Sequence, residues 1–246
     1  MTITAGLFRN RVLRGLVFFI VSGAGMPNLA IAAFEPALPA SGERGFQSVM
    51  KMPEKIVDGV YRFRCEAIIN PNGRARQVTC LSQLADTSKQ LLQAVSLASE
   101  NAIFTPAREH GDAIEVFMQF SVLIRVDGKN AMIGVFPNDG EHWTSYGMNY
   151  VSPQRVEGGF GRMNFVDAVE GQTTAHLKMR LRIGVNGEVL KVAFEEKTGL
   201  FIGRELNNLK RSIKRMKFRP GLHNGVPTEM DYVELYFRTD SAGMSR

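Results

Sequence analysis

The chain repeats itself at a constant offset of 114 residues. Ile69-Asn70-Pro71-Asn72-Gly73 returns as Ile183-Gly184-Val185-Asn186-Gly187, Phe104-Thr105-Pro106 as Phe218-Arg219-Pro220, and Gly111 as Gly225. Upstream, Phe63, Cys65 and Ala67 fall on Leu177, Met179 and Leu181. One offset kept without a gap over so long a stretch marks an internal duplication, and a duplication restricts the chain to folds that a single copy can close.

Within each copy the apolar pattern changes period. Tyr61 to Ile69 alternates Phe63, Cys65, Ala67 and Ile69 with Arg62, Arg64 and Glu66, and Ala75 to Leu81 returns after the turn, which predicts a hairpin. A two-residue Asn72-Gly73 loop would set Cys65 opposite Cys80 and Ala67 opposite Val78. The same register in the second copy would set Met179 opposite Phe194 and Leu181 opposite Val192. Ser88 to Ile103 and Arg204 to Lys217 carry apolar residues at helical spacing (Leu91, Leu92 and Val95; Leu206, Leu209, Ile213 and Met216). Phe-x-Pro ends each helix, since proline lacks a donor and biases its predecessor to extended geometry.

A long strand, Ile114 to Val126, closes the first copy, with Val116, Met118, Phe120 and Val122 inward and Glu115, Gln119 and Ser121 outward. In the closing strand of the second copy, alternation makes Val233, Leu235 and Phe237 the inward row, against the even-numbered row that the offset demands. A one-residue slip at Gly225-Val226-Pro227 would reconcile the two. The expected fold class is α+β: two tandem β-β-α-β domains, each a small antiparallel sheet packed on one amphipathic helix. The expected divisions are a signal peptide at 1–32, an unstructured lead-in at 33–47, and a first domain at 48–127. A linker at 128–160, a second domain at 161–240 and a frayed tail at 241–246 follow.

The N-terminal stretch fits export. Arg9, Arg11 and Arg14 precede an apolar run, Leu16 to Val21, and an Ala30-Ile31-Ala32 cleavage signal. Ser22, Gly23, Gly25, Pro27 and Asn28 interrupt the run, whereas a membrane-spanning helix needs about 20 apolar residues. Cleavage after Ala32 would lower the net charge from +6 to +3. Cys65 and Cys80 are the only cysteines; in an oxidising compartment they are expected to join, the alternative being two buried thiols.

Chemistry-bearing motifs are scarce. His110, His142, His176 and His223 are scattered without metal-ligand spacing, and no nucleophile motif occurs. Gly158-Gly159-Phe160-Gly161 lacks the strand-loop-helix context of a phosphate cradle and reads as a hinge. No catalytic, cofactor or metal site is therefore expected. An enzyme would have to draw on linker residues such as Asp139, Glu141 and His142. The second helix is basic on its exposed faces, through Arg204, Lys210, Arg211, Lys214 and Lys217. That face would suit an acidic partner or, more plainly, a solvated helix surface.

A signal peptide, a glycine-turned hairpin, an amphipathic helix, Phe-x-Pro, a glycine turn and a final strand, twice over, resemble the TonB C-terminal domain family. The residues that carry the likeness are Asn72-Gly73, Phe104-x-Pro106-Ala107 and Gly111, then Asn186-Gly187, Thr198-Gly199, Phe218-x-Pro220 and Gly225. They span most of residues 48–127 and 162–239. The resemblance implies a periplasmic module that takes envelope proteins, such as outer-membrane transporters, partly by pairing its sheet edge with a partner strand. A second copy of the chain is a further candidate partner, and nucleic acid is not. The chain departs from the family's force transducers in its cleavage signal and in having only ten prolines, none in a run. An interaction module or scaffold is thus the expectation. The alternative is an energy transducer anchored by an uncleaved N-terminal helix, the one case in which membrane contact is expected.

Overall fold

The computed structural model describes residues 34–82, 89–128, 130–157, 173–198 and 203–239, with backbone alone at 173–176, 196–198, 205 and 236–239. The expected signal peptide and the tail from 241 lie outside these residues. Gly59–Ile69 (β1) and Ala75–Ser82 (β2) form the first hairpin, Lys89–Asn101 (α1) follows, and Val116–Asp127 (β3) runs antiparallel beside β1. Asn130–Phe136 (β4) folds back along the far half of β3, and Gln154–Val156 (β5) takes its near end at Val116 and Phe117. Thr173–Ile183 (β6), Val189–Thr198 (β7), Gly203–Ile213 (α2), Phe218–Arg219 (β8) and Met230–Thr239 (β9) complete the described chain. The molecule is α+β and mostly sheet, with four helices among the described residues.

The hairpin turns are one residue longer than expected. Asn70 and Arg74 close a loop of Pro71, Asn72 and Gly73, with Asn70 Oδ1 accepting the amides of Asn72 and Arg74. Gly73 takes the left-handed conformation, φ 74°, which suits a three-residue loop. Ile69 therefore faces Ala75, and a bulge at Gln77 (φ 52°) returns the register so that Cys65 faces Cys80. Ala67 and Val78 are not partners as expected, because the irregularity falls at Ala67 itself, between the Glu66–Thr79 and Ile68–Arg76 pairs. The second hairpin behaves alike: Ile183 faces Val189, and past one shift Leu181 faces Val192 and Met179 faces Phe194, as expected. The two-residue turn with both φ positive occurs elsewhere, at His110-Gly111 and again at Asn224-Gly225.

Gly73 also explains why its turn travels with Phe-x-Pro. The Phe104 amide donates to the Gly73 carbonyl at 2.8 Å, and a Cβ on Gly73 would lie 2.0 Å from the Phe104 carbonyl oxygen. A Cβ on Gly187 would meet the Phe218 carbonyl oxygen at the same distance. The two repeated motifs are the two sides of one contact.

The closing strand corrects the expected slip. Met230 faces Ile183, Tyr232 faces Leu181 and Glu234 faces Met179, so the even-numbered row points inward as the unbroken offset demands. Tyr232 is fully buried in the second core with Leu177, Leu181 and Phe218. Alternation misled because both rows are covered: Val233 is also fully buried, and Glu234 is an inward charge.

The lead-in and the linker are structured. Phe34–Glu35 pairs with Ala107–Glu109 and Leu38–Pro39 with Phe104–Thr105. The linker segments Tyr150–Val151 and β5 pair in the same manner with Gly221–His223 and β8. Since β5 also pairs with β3, one ladder runs β8-β5-β3-β1-β2, carrying residues from both copies. The first core gathers Phe63, Leu91, Val95, Phe104 and Phe120 between sheet and α1. The second draws Ile68 and Phe117 from the first copy into contact with Leu177, Ile213 and Tyr232.

Candidate functional site

The outward row of the first sheet supplies Arg64 and Glu66 from β1 and Gln119 and Ser121 from β3. Expected at the surface, Arg64, Gln119 and Ser121 are buried, because β9 and the linker cover them. Gln119 Nε2 donates to Glu66 Oε1 at 2.9 Å and to the Val233 carbonyl at 2.8 Å. Arg64 donates to Glu66 at 3.1 Å and also to the Val233 carbonyl, and faces Glu141 at 3.6 Å. Arg155, carried in by β5, lies over the Phe117 ring at 4.5 Å and binds Glu157 at 3.1 Å and the fully buried Glu234 at 2.6 Å.

Burial pushes the Glu66 carboxyl above its ordinary range; Arg64 opposes the shift and Glu234 adds to it. The Tyr232 hydroxyl is raised well above its usual value by burial, with Glu234 reinforcing. Both guanidiniums keep their charge: burial opposes it, but the nearby carboxylates outweigh burial. Among the described residues, Tyr232 Oη, Glu234 Oε2, Gln119 Oε1 and Arg64 Nε find no hydrogen-bond partner. Such atoms carry a desolvation cost that offsets part of what the network's hydrogen bonds and ion pairs contribute.

Beside it, Asn138 and Asp139 are fully buried. Asp139 Oδ1 accepts from the Tyr150 hydroxyl at 2.8 Å and Ser152 Oγ at 3.3 Å, and Asn138 Oδ1 accepts from Trp143 Nε1 at 2.7 Å. Glu141 is turned toward Arg64, and His142 stacks edge-on to Tyr146 and Tyr150. The linker's polar residues therefore order a loop under which Asp139 is sealed. His223 joins the same stack, 5.1 Å from Tyr146, while the His110 position in the second copy is held by Asn224.

The other expected sites are placed as follows. Cys65 and Cys80 form a disulfide with Cα atoms 4.1 Å apart, beside the buried Ser99. Arg204, Lys210, Arg211, Lys214 and Lys217 are all exposed, and Lys210, Arg211 and Lys214 line a shallow depression with Asn207. Among the described residues no cluster of His, Cys, Asp and Glu could hold a metal ion, and no helix is long and apolar enough to cross a membrane. Sequence reasoning missed the Arg64–Glu66–Gln119–Arg155–Glu234 network. Its one signal was Glu234, a carboxylate standing where the offset puts Phe120.

The edges differ in finish. β2 carries the Gln77 bulge and β7 pairs with β6 through two register shifts, whereas β9 runs unshifted from Met230 to Arg238. Its first-copy counterpart, β3, has its outer edge filled by β4 from Ser121 to Asp127. Among the described residues no strand fills that place beside β9. Compared with family models, curated proteins and solved structures, the chain matches none.

Proposed function

We propose that this chain is an exported interaction module of the TonB C-terminal type. In this reading two tandem β-β-α-β domains act in the periplasm, taking envelope proteins, outer-membrane transporters among them, by adding a partner strand to the second sheet. The observation that carries it is the contrast between the last strands: β4 occupies the edge of β3, while among the described residues no strand lies beside the matching stretch of β9. A regular, unbulged edge offers main-chain donors and acceptors in register, and pairing with them is the chemistry of strand addition.

In this reading the bonding groups are those that turn away from β6. The Val233 carbonyl points away from β6, toward Arg64 and Gln119. By the two-residue period of a strand, Leu235 and Phe237 turn their amides and carbonyls the same way. The test uses a peptide with the sequence of Asn130–Phe136, the strand that fills the equivalent edge. It should slow hydrogen exchange at the Leu235 and Phe237 amides, and Leu235→Pro should abolish the effect without unfolding the sheet, because a proline on an outer edge removes only an outward donor. Slow exchange at those amides in the protein alone would mean a covered edge and would end this reading.

A further inference from the structure

The duplication provides an internal control for the basic helix. Stepping back 114 residues from Arg204, Lys210, Arg211, Lys214, Arg215 and Lys217 lands on Gln90, Ser96, Leu97, Glu100, Asn101 and Ile103. Helix α1 thus packs its apolar stripe, with Leu91 and Val95 fully buried, without a cation at any of these places. The fold does not require the charges. Favourable interaction with the helix C-terminus accounts for Lys210 and Arg211 in the last turn but not for Arg204 in the first, where a cation is disfavoured. Among the described residues no acid pairs with Lys210, Lys214 or Lys217, and Arg211 donates instead to Asn208 Oδ1 at 2.7 Å.

We propose that the outer face of α2 docks on a membrane surface rich in anionic phospholipid. None of the large exposed apolar side chains lies on this helix, so it offers neither a grip for a partner's apolar side chains nor an anchor that enters a bilayer. What it presents is a convex, wholly polar face whose cations a flat anionic layer can meet together. The depression among Asn207, Lys210, Arg211 and Lys214 places three cations and an amide around room for one compact anion, as a phosphodiester headgroup is. Lysine and arginine both donate to phosphate oxygens. The inference rests on the envelope reading only for where such a membrane is met; the contact itself does not involve the β9 edge.

The experiment labels the full-length protein at Ser212→Cys, an exposed position outside the depression, and follows energy transfer to acceptor-labelled vesicles. The N-terminal apolar run is common to parent and variant, so it cannot produce a difference between them. Vesicles of phosphatidylcholine with about a quarter phosphatidylglycerol should bind, with partitioning reduced about a hundredfold by Lys210→Gln, Arg211→Gln and Lys214→Gln together and reduced again by salt. The triple variant should melt like the parent, since α1 is folded with neutral or acidic residues at the same positions. Equal transfer to pure phosphatidylcholine, or transfer unchanged in the triple variant, would overturn the proposal. Capture of polyglutamate without vesicle binding would also overturn it, assigning the face to an acidic protein.

Discussion

At the scale of single residues, Gly73 and Gly187 are set by two constraints at once: a left-handed backbone and a carbonyl oxygen where a Cβ would sit. Gly111 meets only the first, with φ 89° and open space around it. Gly73→Val should therefore cost at least about 2 kcal/mol, against roughly 1 kcal/mol for Gly111→Ala, in urea denaturation. Equal losses would show that the Phe104 contact is unimportant. Glu66 carries a pH prediction. Its folded pKa lies above the unfolded one, so the folded state holds the proton more tightly. Its contribution is complete below the ordinary glutamate range and is lost as pH rises through the raised value. Glu66→Gln keeps an acceptor for Arg64 and Gln119 and should flatten that fall above the ordinary glutamate range. Parallel stability profiles for parent and variant would refute it.

At the scale of elements, the short strand β5 matters beyond its length. It joins β3 to β8 and delivers Arg155 to a carboxylate that is otherwise sealed from water. Removing one partner of a buried pair leaves a bare charge, whereas removing both replaces it with packing. Arg155→Met should thus cost about 3–5 kcal/mol, and Arg155→Met with Glu234→Met should recover most of the loss. Additive losses in that double-mutant cycle would mean that the ion pair is not what β5 contributes. The helices were legible because their stripes face one core each. The strands β5 and β8, two or three residues long, carry no period that a sequence window could detect.

At the scale of the molecule, the second core is completed by Ile68 and Phe117 of the first copy, and the linker buries Asn138, Asp139 and Gln154. Gln154 clasps the Ala37 backbone with both ends of its amide, at 2.9 and 2.8 Å, tying the lead-in to the linker. The halves should consequently unfold together. Calorimetry of residues 33–246 should give one transition, and residues 158–246 alone should lack a cooperative one, since their core would be missing a wall. Two separable transitions would show the copies to be independent.

The duplication, the hairpins, both helices and the cysteine pairing could be read from the chain because each rests on local periodicity or on an offset that needs no neighbour. The even-numbered inward row of β9 was implied by the offset as well, and obscured by the apolar odd-numbered row and the charge on Glu234. Which polar residues are buried was decided by tertiary structure alone. Arg64, Gln119 and Glu234 are polar in any window of sequence, and they are enclosed because a strand and a linker more than thirty positions away arrive to pair with them. The edge beside which no described strand runs was decided there too, since an edge is defined by what fails to come beside it.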